Sequence, residues 1–288
     1  MPSEVRSRWV MANGVRTHYS ESGNDGRVIV GMHGGGAGSS GMAGMGPLLE
    51  RLGDEFRCLA PDSVGGFGLT DPYAPVPYGL MSRVAHTADF IDALCLPKVI
   101  MIGNSQGAWA AAQYAILHPD RVEKLVLISS LTIANSLKIK QRPTDALKAL
   151  NDYDGTREGM RRILQALIID PKRITDKLID DRQAAAMRPG ALDAFKAFGR
   201  GSAALRQNPL LALQNDMTKS LAVMTKTIPT IFIWGDSDTF ALPETGRKIA
   251  EFVPDAKFHW VPGAGHQVQT DKPDEATAII RQFLGLQG

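Results

Sequence analysis

The sequence predicts an α/β fold. A mostly parallel, twisted sheet carries helices on both faces, and a helical cap is inserted between two of its strands. Three observations predict it. Short apolar, strand-like runs alternate with longer helical patterns along most of the chain. These runs are almost continuously apolar, as in strands that are buried on both faces. The alternation stops between about residues 131 and 227, where only helical periodicity remains.

The chain opens with a predicted hairpin, because the turn signal Asn13-Gly14 separates the strand-like segments Trp9–Val10 and Thr17–Tyr19. Six apolar strands follow: Val28–Met32, Phe56–Ala60, Val99–Ile102, Leu125–Ile128, Thr230–Trp234 and Phe258–Val261. Helical patterns accompany them at Val84–Leu94, Trp109–Leu117, Thr245–Phe252 and Glu275–Phe283. This repetition of strand and helix predicts parallel pairing in one sheet.

The segment that interrupts the repetition has four helical stretches: Thr144–Leu150, Thr156–Leu167, Thr175–Met187 and Leu192–Phe198. We expect residues 131–227 to form a helical cap, and residues 1–130 with 228–288 to form the core domain. The cap is expected to cover the carboxyl edge of the sheet, where ligands bind in open α/β folds.

The composition excludes several classes of protein. With 32 Lys and Arg against 30 Asp and Glu, and 44% hydrophobic residues, the chain is neither disordered nor a nucleic-acid binder that relies on a basic surface. No apolar stretch approaches the roughly 20 residues that span a bilayer, and Met1–Ser7 lacks the apolar core of a secretory signal. Cys58 and Cys95 form neither a disulfide framework nor a metal motif, which favours a cytoplasmic setting.

The segment Gly103–Gly107 fits the nucleophile-elbow pattern G-x-S-x-G, with Ser105 at its centre. A predicted strand precedes it and an Ala-rich helix follows, as the motif requires. Small residues flank the serine because the backbone turns sharply and packs closely there. The alternative interpretation is a tight turn with an idle serine.

A serine hydroxyl needs a neighbouring base to act as a nucleophile, and His266 is the candidate. It follows the strand Phe258–Val261 in a glycine-rich loop, where it satisfies the chain order serine, acid, histidine. The other five histidines lie in the hairpin, in the first glycine-rich loop, on helices or inside a strand: His18, His33, His86, His118 and His259.

The acid that orients this base is expected after the strand Thr230–Trp234, where Asp236 and Asp238 compete. Asp238 is the preferred candidate, because it lies far enough beyond Gly235 for the chain to turn back over the sheet edge. Its role would be to hold the imidazole tautomer and stabilise the imidazolium. Asp236 is the alternative.

The loop His33–Gly38 follows the strand Val28–Met32 and is typical of an oxyanion loop. The predicted oxyanion donors are the backbone N–H groups of Gly35 and Gln106. A phosphate loop would need a following lysine, and a dinucleotide fingerprint would need a third glycine where Ser39 stands. A flexible glycine-rich turn without a ligand is the remaining alternative.

These motifs resemble the α/β-hydrolase fold and, more narrowly, the meta-cleavage product hydrolases, which cleave a carbon–carbon bond of 2-hydroxy-6-oxo-dienoates in aromatic degradation. His33–Gly38 resembles the family's oxyanion loop, and Gly103–Ser105 resembles its elbow, including Asn104 before the nucleophile. Tyr153–Met160 is similar to a cap segment of the group. The resemblance covers nearly the whole chain.

The resemblance implies a cofactor-free and metal-free hydrolase of a small molecule, and it is compatible with a homodimer. The substrate-binding positions that it implies are Gly34, Gly36, Asn104, Arg182 and Gln267. Arg182 falls where the family carries a cap arginine that binds the substrate's carboxylate or dienolate, a task suited to a bidentate guanidinium. Without the resemblance, Arg182 would be interpreted as a solvated surface charge.

The chain departs from the family pattern at three positions near the expected site. Gln267 stands where the family has a tryptophan, Gly44 where it has a second substrate asparagine, and Gln106 where it has methionine or phenylalanine. These changes leave a carboxylesterase or lactonase with the same triad as the alternative function. A ligand receptor on a hydrolase fold is a further alternative, against which the complete triad argues.

Overall fold

The computed structural model describes residues 2–286. Residues 1, 287 and 288, the outer ends of the predicted core segments, lie outside the described part. The eight strands are β1 (Arg6–Ala12), β2 (Val15–Ser22), β3 (Val28–Met32), β4 (Arg57–Pro61), β5 (Val99–Asn104), β6 (Val122–Ile128), β7 (Thr230–Gly235) and β8 (Lys257–Val261). They form one sheet in the order β1-β2-β4-β3-β5-β6-β7-β8. In this spatial order, β1, β2 and β4 pair antiparallel, and all later neighbours, from β4–β3 to β7–β8, pair parallel. This arrangement confirms the predicted fold class.

Thirteen α-helices accompany the strands in the described part of the chain. They are α1 (Gly41–Leu52), α2 (Leu80–Ala93), α3 (Gln106–Leu117), α4 (Leu131–Ser136), α5 (Asp145–Asn151), α6 (Arg157–Leu167), α7 (Asp176–Met187), α8 (Ala191–Gln207), α9 (Pro209–Asn215), α10 (Ser220–Thr227), α11 (Pro243–Phe252), α12 (Val268–Asp271) and α13 (Pro273–Leu284). Two short 3-10 turns, Pro119–Arg121 and Pro171–Arg173, complete the set. Helices α4 to α10 all lie between β6 and β7, where the cap is predicted.

The sequence pattern did not predict helix α1. Its twelve residues include three glycines and Pro47, all of which weaken a helical pattern. The helix begins because the Ser40 hydroxyl accepts a hydrogen bond from the Ala43 N–H. It persists because its apolar side packs on the sheet, with Leu48, Leu49 and Leu52 buried. Tertiary burial therefore overrides weak local propensity here.

The sheet buries a separate apolar layer on each face. One layer joins strand residues to α1 and α13, through side chains that include Leu49, Ile102 and Ile280. The other joins strand residues to α2 and α3 and continues into α6, through side chains that include Phe90, Trp109, Met160, Ile163 and Leu164. The helices that follow β6 are therefore packed onto the sheet layer through a shared apolar cluster.

Candidate active site

Ser105 lies between the end of β5 and the start of α3, in a sharply strained turn. Its φ is 57°, a value that non-glycine residues rarely adopt. The turn needs glycine on both sides, because a Cβ on Gly107 would lie 2.1 Å from the Met32 carbonyl oxygen and one on Gly103 would lie 2.4 Å from the Gly107 oxygen. The Ser130 hydroxyl donates a hydrogen bond of 2.7 Å to the Ser105 carbonyl. The backbone thus holds the serine side chain at the sheet's carboxyl edge.

His266 and Asp238 form a buried pair at the same edge. His266 Nδ1 lies 2.9 Å from Asp238 Oδ2, and both side chains are at most 2% exposed. Asp238 Oδ1 accepts the N–H groups of Phe240 and Ala241, each at 2.8 Å. These bonds orient the carboxylate so that it accepts the Nδ1 hydrogen, which leaves His266 Nε2 as the basic nitrogen.

The alternative acid, Asp236, lies elsewhere. Its side chain is exposed and accepts hydrogen bonds from the Ser237 hydroxyl and the Gly263 N–H. It therefore stabilises the loop before His266 and makes no contact of its own with the imidazole.

A cavity of about 200 Å³ connects the candidate residues. His266 Nε2 is buried and has no hydrogen-bond partner among the described residues, so it is free to accept the Ser105 proton. The structure brings seven predicted site residues to this cavity: Gly34, Gly35, Asn104, Ser105, Gln106, His266 and Gln267. Its remaining walls are Leu131, Thr132, Asn135, Leu147, Leu150, Asn151, Leu167 and Phe240.

The oxyanion loop packs against the elbow. The Gln106 side chain lies so close to Gly35 that a Cβ there would meet its amide atoms at 2.4–2.7 Å and would push that amide aside. Gln106 is the first residue of α3, so its N–H has no acceptor within the helix and is free to bind an anion. Both predicted donors consequently border the cavity that holds Ser105.

His33 supports this loop as a neutral side chain. Its Nε2 accepts the Ser63 N–H at 3.1 Å, so Nδ1 carries the hydrogen and donates to the Gly34 carbonyl at 2.7 Å. Complete burial, together with the Arg83 guanidinium, holds the pKa of His33 well below its ordinary value. Arg83 also donates a hydrogen bond to the His33 carbonyl oxygen. His33 thus shapes the loop and is not available as a base for Ser105.

Gly36 and Arg182 lie behind the loop, next to the cavity but not among the residues that line it. Arg182 Nη2 donates to Ala37 O at 3.2 Å and to Ser39 Oγ at 3.0 Å. The interpretation of Arg182 as a solvated charge is wrong, because the residue is only 2% exposed. Its Nε has no hydrogen-bond partner in the described chain, and burial lowers the pKa of the guanidinium to about 10.

The structure explains one departure from the family pattern, at Gly44, and shows what the shared Asn104 contacts. A Cβ on Gly44 would lie 2.8 Å from His33 Cβ, so an asparagine does not fit there. The Gln269 side chain instead donates to the Gly44 carbonyl at 2.9 Å. Asn104 joins the elbow to the histidine loop, because its Nδ2 donates to His266 O at 3.0 Å and to Ile128 O at 3.2 Å.

Sequence reasoning missed two residues that shape the site. The Phe240 ring lies 4.4 Å from the His266 ring and closes one wall of the cavity. Asp271, 3% exposed, accepts the N–H groups of Ile169 and Asp170 at 2.9 Å through Oδ1, and that of Gly265 at 2.8 Å through Oδ2. One carboxylate thereby ties the segment after α6 to the loop that carries His266, although burial raises its pKa. No local sequence signal distinguishes either residue.

Replacing Asp271 with asparagine is expected to lower kcat/KM about 10-fold, through misplacement of His266. The asparagine oxygen would stay with the two N–H groups of Ile169 and Asp170, so its NH₂ group would face the Gly265 N–H, donor against donor. Steady-state kinetics and amide hydrogen exchange at Gly265 measure the effect. Asp274→Asn is the matched control, since Asp274 is exposed and only pairs with Arg51; equal losses in both variants would contradict the assignment.

A parallel sheet with a serine at its elbow and a histidine–aspartate pair at its carboxyl edge is the arrangement of α/β hydrolases. A family model described as alpha/beta hydrolase fold matches residues 27–273, and the chain belongs to that family. The curated relatives that match it along almost its whole length are hydrolases, and this chain is a hydrolase as well.

Two of these relatives act on related dienoates. A 2-hydroxy-6-oxo-2,4-heptadienoate hydrolase of Pseudomonas putida is 29% identical over 277 residues, which are 96% of this chain and 95% of the relative. A 2-hydroxymuconate semialdehyde hydrolase of a Pseudomonas species is 29% identical over 279 residues, which are 96% of this chain and 93% of the relative.

Two solved structures of hydrolases are also similar to this chain over almost its whole length. A serine-to-alanine mutant of a meta-cleavage product hydrolase from Pseudomonas fluorescens, complexed with acetates, has a TM-score of 0.79 at 27% identity, covering 96% of this chain and 97% of that one. A serine hydrolase involved in carbazole degradation also has a TM-score of 0.79 at 27% identity, covering 99% and 100% of the two chains.

No helix within residues 2–286 is both long and apolar enough to cross a membrane. In the same residues, histidine, cysteine and acidic side chains nowhere form a group of three that could hold a metal ion.

Proposed function

We propose that this hydrolase cleaves a carbon–carbon bond of a 2-hydroxy-6-oxo-2,4-dienoate, with Ser105, His266 and Asp238 as its catalytic triad. One observation carries the choice of an anionic substrate. Arg182 is buried beside the cavity with an unpaired Nε and no acidic partner in the described chain. A buried cation without a counter-ion is costly, and a substrate carboxylate supplies one. The relatives that act on such dienoates support the same choice.

The first chemical step makes the substrate cleavable. The proton of the 2-hydroxyl group moves to C5, which converts the dienol into a 2,6-diketone with one remaining double bond. The C6 carbonyl then lies next to a CH₂ group whose carbanion is delocalised into the 2-keto group. Arg182 would bind the oxygenated end and stabilise its negative charge. Asn104 would offer only its unpaired Oδ1, as an acceptor for a substrate hydroxyl, because its Nδ2 group already donates to His266 O and Ile128 O.

Ser105 then attacks the C6 carbonyl while His266 Nε2 accepts the hydroxyl proton. The Gly35 and Gln106 N–H groups bind the resulting oxyanion. When this intermediate collapses, the C5–C6 bond breaks, its electron pair enters the dienolate, and the His266 proton goes to the departing fragment. Water, deprotonated by His266, hydrolyses the acyl–Ser105 ester and releases a carboxylic acid. The net reaction consumes one water molecule and needs no cofactor.

Residues 131–227 are proposed to act as the cap of this site, and residues 1–130 with 228–288 as its core. The contribution of Leu147, Leu150 and Leu167 to the cavity wall supports this division, because all three belong to the cap segment. Excluding water behind such a wall strengthens the electrostatic interactions inside it. Cytoplasmic location stays a prediction from the sequence, and the family resemblance is compatible with a homodimer.

Replacing Arg182 with methionine is expected to raise KM for an anionic dienoate about 30-fold, because a charge-assisted hydrogen bond is lost. Hydrolysis of a neutral p-nitrophenyl ester by the same variant is the internal control and should change less than about threefold. Initial rates over a substrate series measure both. Equal losses for the two substrates would mean that Arg182 only supports the loop at Ala37 and Ser39.

A spectral assay tests the proposed function against its alternative. Dienoates absorb visible light and lose this absorbance on cleavage, whereas p-nitrophenyl esters report ester hydrolysis. Carboxylesterase or lactonase activity is the second candidate, favoured by Gln267, which lines the cavity where the family carries tryptophan. We expect rapid loss of dienoate absorbance; persistence of the dienoate with turnover of short esters would establish the alternative.

A further inference from the structure

A second serine–histidine–aspartate chain lies at the first hairpin, away from the cavity at Ser105. The Ser7 hydroxyl lies 2.8 Å from His18 Nε2, and His18 Nδ1 lies 2.7 Å from Asp62 Oδ2. A hydroxyl within hydrogen-bond reach of a base that a third group orients is the arrangement of an activated nucleophile. None of these three residues lines the cavity, and the proposed function uses none of them.

The histidine of this chain is held in the form that accepts the Ser7 proton. Asp62 is fully buried, and it also accepts the Gly41 N–H at 2.6 Å and the Leu69 N–H at 2.7 Å. These bonds fix the carboxylate, so His18 Nδ1 carries the hydrogen that it donates to Asp62. His18 Nε2 is therefore the acceptor, and the Ser7 hydroxyl donates to it. His18 is only 6% exposed, so the protein and not water sets its orientation.

The serine, in contrast, is open to small reagents. Ser7 is exposed on β1, which is the edge strand of the sheet. Trp9 lies two residues along the same strand, and therefore on the same side of the sheet. It is 40% exposed, and its ring lies 5.0 Å from the His18 ring. The Arg16 guanidinium lies 3.8 Å from the centre of the Trp9 ring and adds a positive charge. An aromatic surface thus adjoins the hydroxyl, and an aryl group can pack against it.

We propose that Ser7 is a second nucleophile of this protein, which accepts an acyl group from small aryl esters. The Ser7 oxygen attacks the ester carbonyl while His18 Nε2 takes the hydroxyl proton. When this intermediate collapses, the bond between the acyl carbon and the aryl oxygen breaks. The aryl oxygen leaves with the electron pair and receives the proton from His18. The products are one phenol and one acyl–Ser7 ester, and no further reactant is needed.

The surroundings of Ser7 limit it to a single acylation. It lies outside the cavity and the glycine-rich loop that surround Ser105. General-base assistance alone accelerates a reaction by roughly 10²–10⁴-fold, far less than a site with an oxyanion hole achieves. We therefore assign to Ser7 the acceptance of one acyl group and not repeated turnover. The inference is independent of the dienoate hydrolysis proposed for Ser105.

The test uses the full chain with Ser105→Ala, so that the first nucleophile cannot react, and p-nitrophenyl acetate as the acyl donor. Cleavage after glutamate releases residues 5–21, and mass spectrometry of this peptide assigns and counts acetyl groups at Ser7. Ser237 is the internal reference, because it is exposed and its hydroxyl donates to Asp236 and not to a histidine. We expect acetylation of Ser7 to be about 100-fold faster than that of Ser237.

Two further changes in the same chain separate a nucleophile from a structural hydrogen bond. His18→Gln keeps a polar side chain but removes the base, and should lower acetylation of Ser7 to the rate at Ser237. Trp9→Ala should lower the rate with p-nitrophenyl acetate about fivefold. The same variant should leave the rate with acetic anhydride unchanged, because that donor has no aryl group.

Equal acetylation of Ser7 and Ser237 would overturn the proposal, and this comparison does not depend on the folding of any His18 variant. Unchanged acetylation of Ser7 in a folded His18→Gln protein would overturn the role of His18 as the base. Equal effects of Trp9→Ala on the two acyl donors would overturn the preference for aryl esters.

Discussion

Replacing Ser105 with alanine is expected to lower kcat about 10⁵-fold without unfolding the protein. The hydroxyl oxygen forms the acyl intermediate, and His266 Nε2 makes no hydrogen bond to any other described residue. The turn itself should survive, because its strained φ of 57° and its flanking glycines do not depend on the hydroxyl. Single-turnover and steady-state rates, with circular dichroism for the fold, measure the effect.

The chain offers an unusual matched control for this variant. The Ser7 hydroxyl lies 2.8 Å from His18 Nε2, and His18 Nδ1 lies 2.7 Å from Asp62 Oδ2. The connectivity is that of a catalytic triad, but Ser7 is exposed on β1 and does not line the cavity at the oxyanion loop. Ser7→Ala should therefore keep full activity. Retained turnover in Ser105→Ala that disappears when Ser7 is also replaced would contradict our assignment of the nucleophile.

Replacing Asp238 with asparagine is expected to lower kcat about 10⁴-fold at neutral pH. The present Oδ1 accepts two backbone N–H groups, from Phe240 and Ala241, so the asparagine oxygen is held there. Its NH₂ group then faces His266 Nδ1 and donates to it. The imidazole hydrogen moves to Nε2, which can no longer accept the Ser105 proton.

The pH dependence of kcat/KM and the imidazole nitrogen chemical shifts of this variant report the tautomer directly. Asp236→Asn is the matched control, because Asp236 is exposed and its oxygen, which accepts from Ser237 and the Gly263 N–H, is kept by asparagine. It should keep activity within about threefold. A larger loss of activity in Asp236→Asn than in Asp238→Asn would show that Asp236, and not Asp238, is the acid of the triad.

The strands could be predicted because burial on both faces makes them continuous apolar runs. Every residue of β5 and of β7 is buried, and both strands were anticipated within two residues at each end. The elbow can also be predicted from the sequence, because Gly103 and Gly107 are required by backbone contacts that no other residue tolerates. Helix α1 could not be predicted, because its glycines and Pro47 weaken the helical pattern and the helix is stabilised by packing.

The supporting residues of the site could not be read from the sequence, because their partners lie far away along the chain. Asp271 accepts hydrogen bonds from Ile169 and Asp170, about one hundred positions earlier. The burial of Arg182 follows from its contact with the loop at Ala37 and Ser39, which precedes it by more than 140 residues. Such contacts depend on how distant helices and loops pack together, and local pattern carries no information about that packing.

The most direct test of the account is the product analysis of purified enzyme with 2-hydroxy-6-oxo-2,4-heptadienoate in ¹⁸O-labelled water. We expect one acetate and one five-carbon hydroxydienoate for each substrate consumed, with ¹⁸O incorporated into the acetate carboxylate, and no products from Ser105→Ala. Recovery of intact dienoate after prolonged incubation with enzyme that hydrolyses short esters would contradict carbon–carbon bond cleavage as the function of this site.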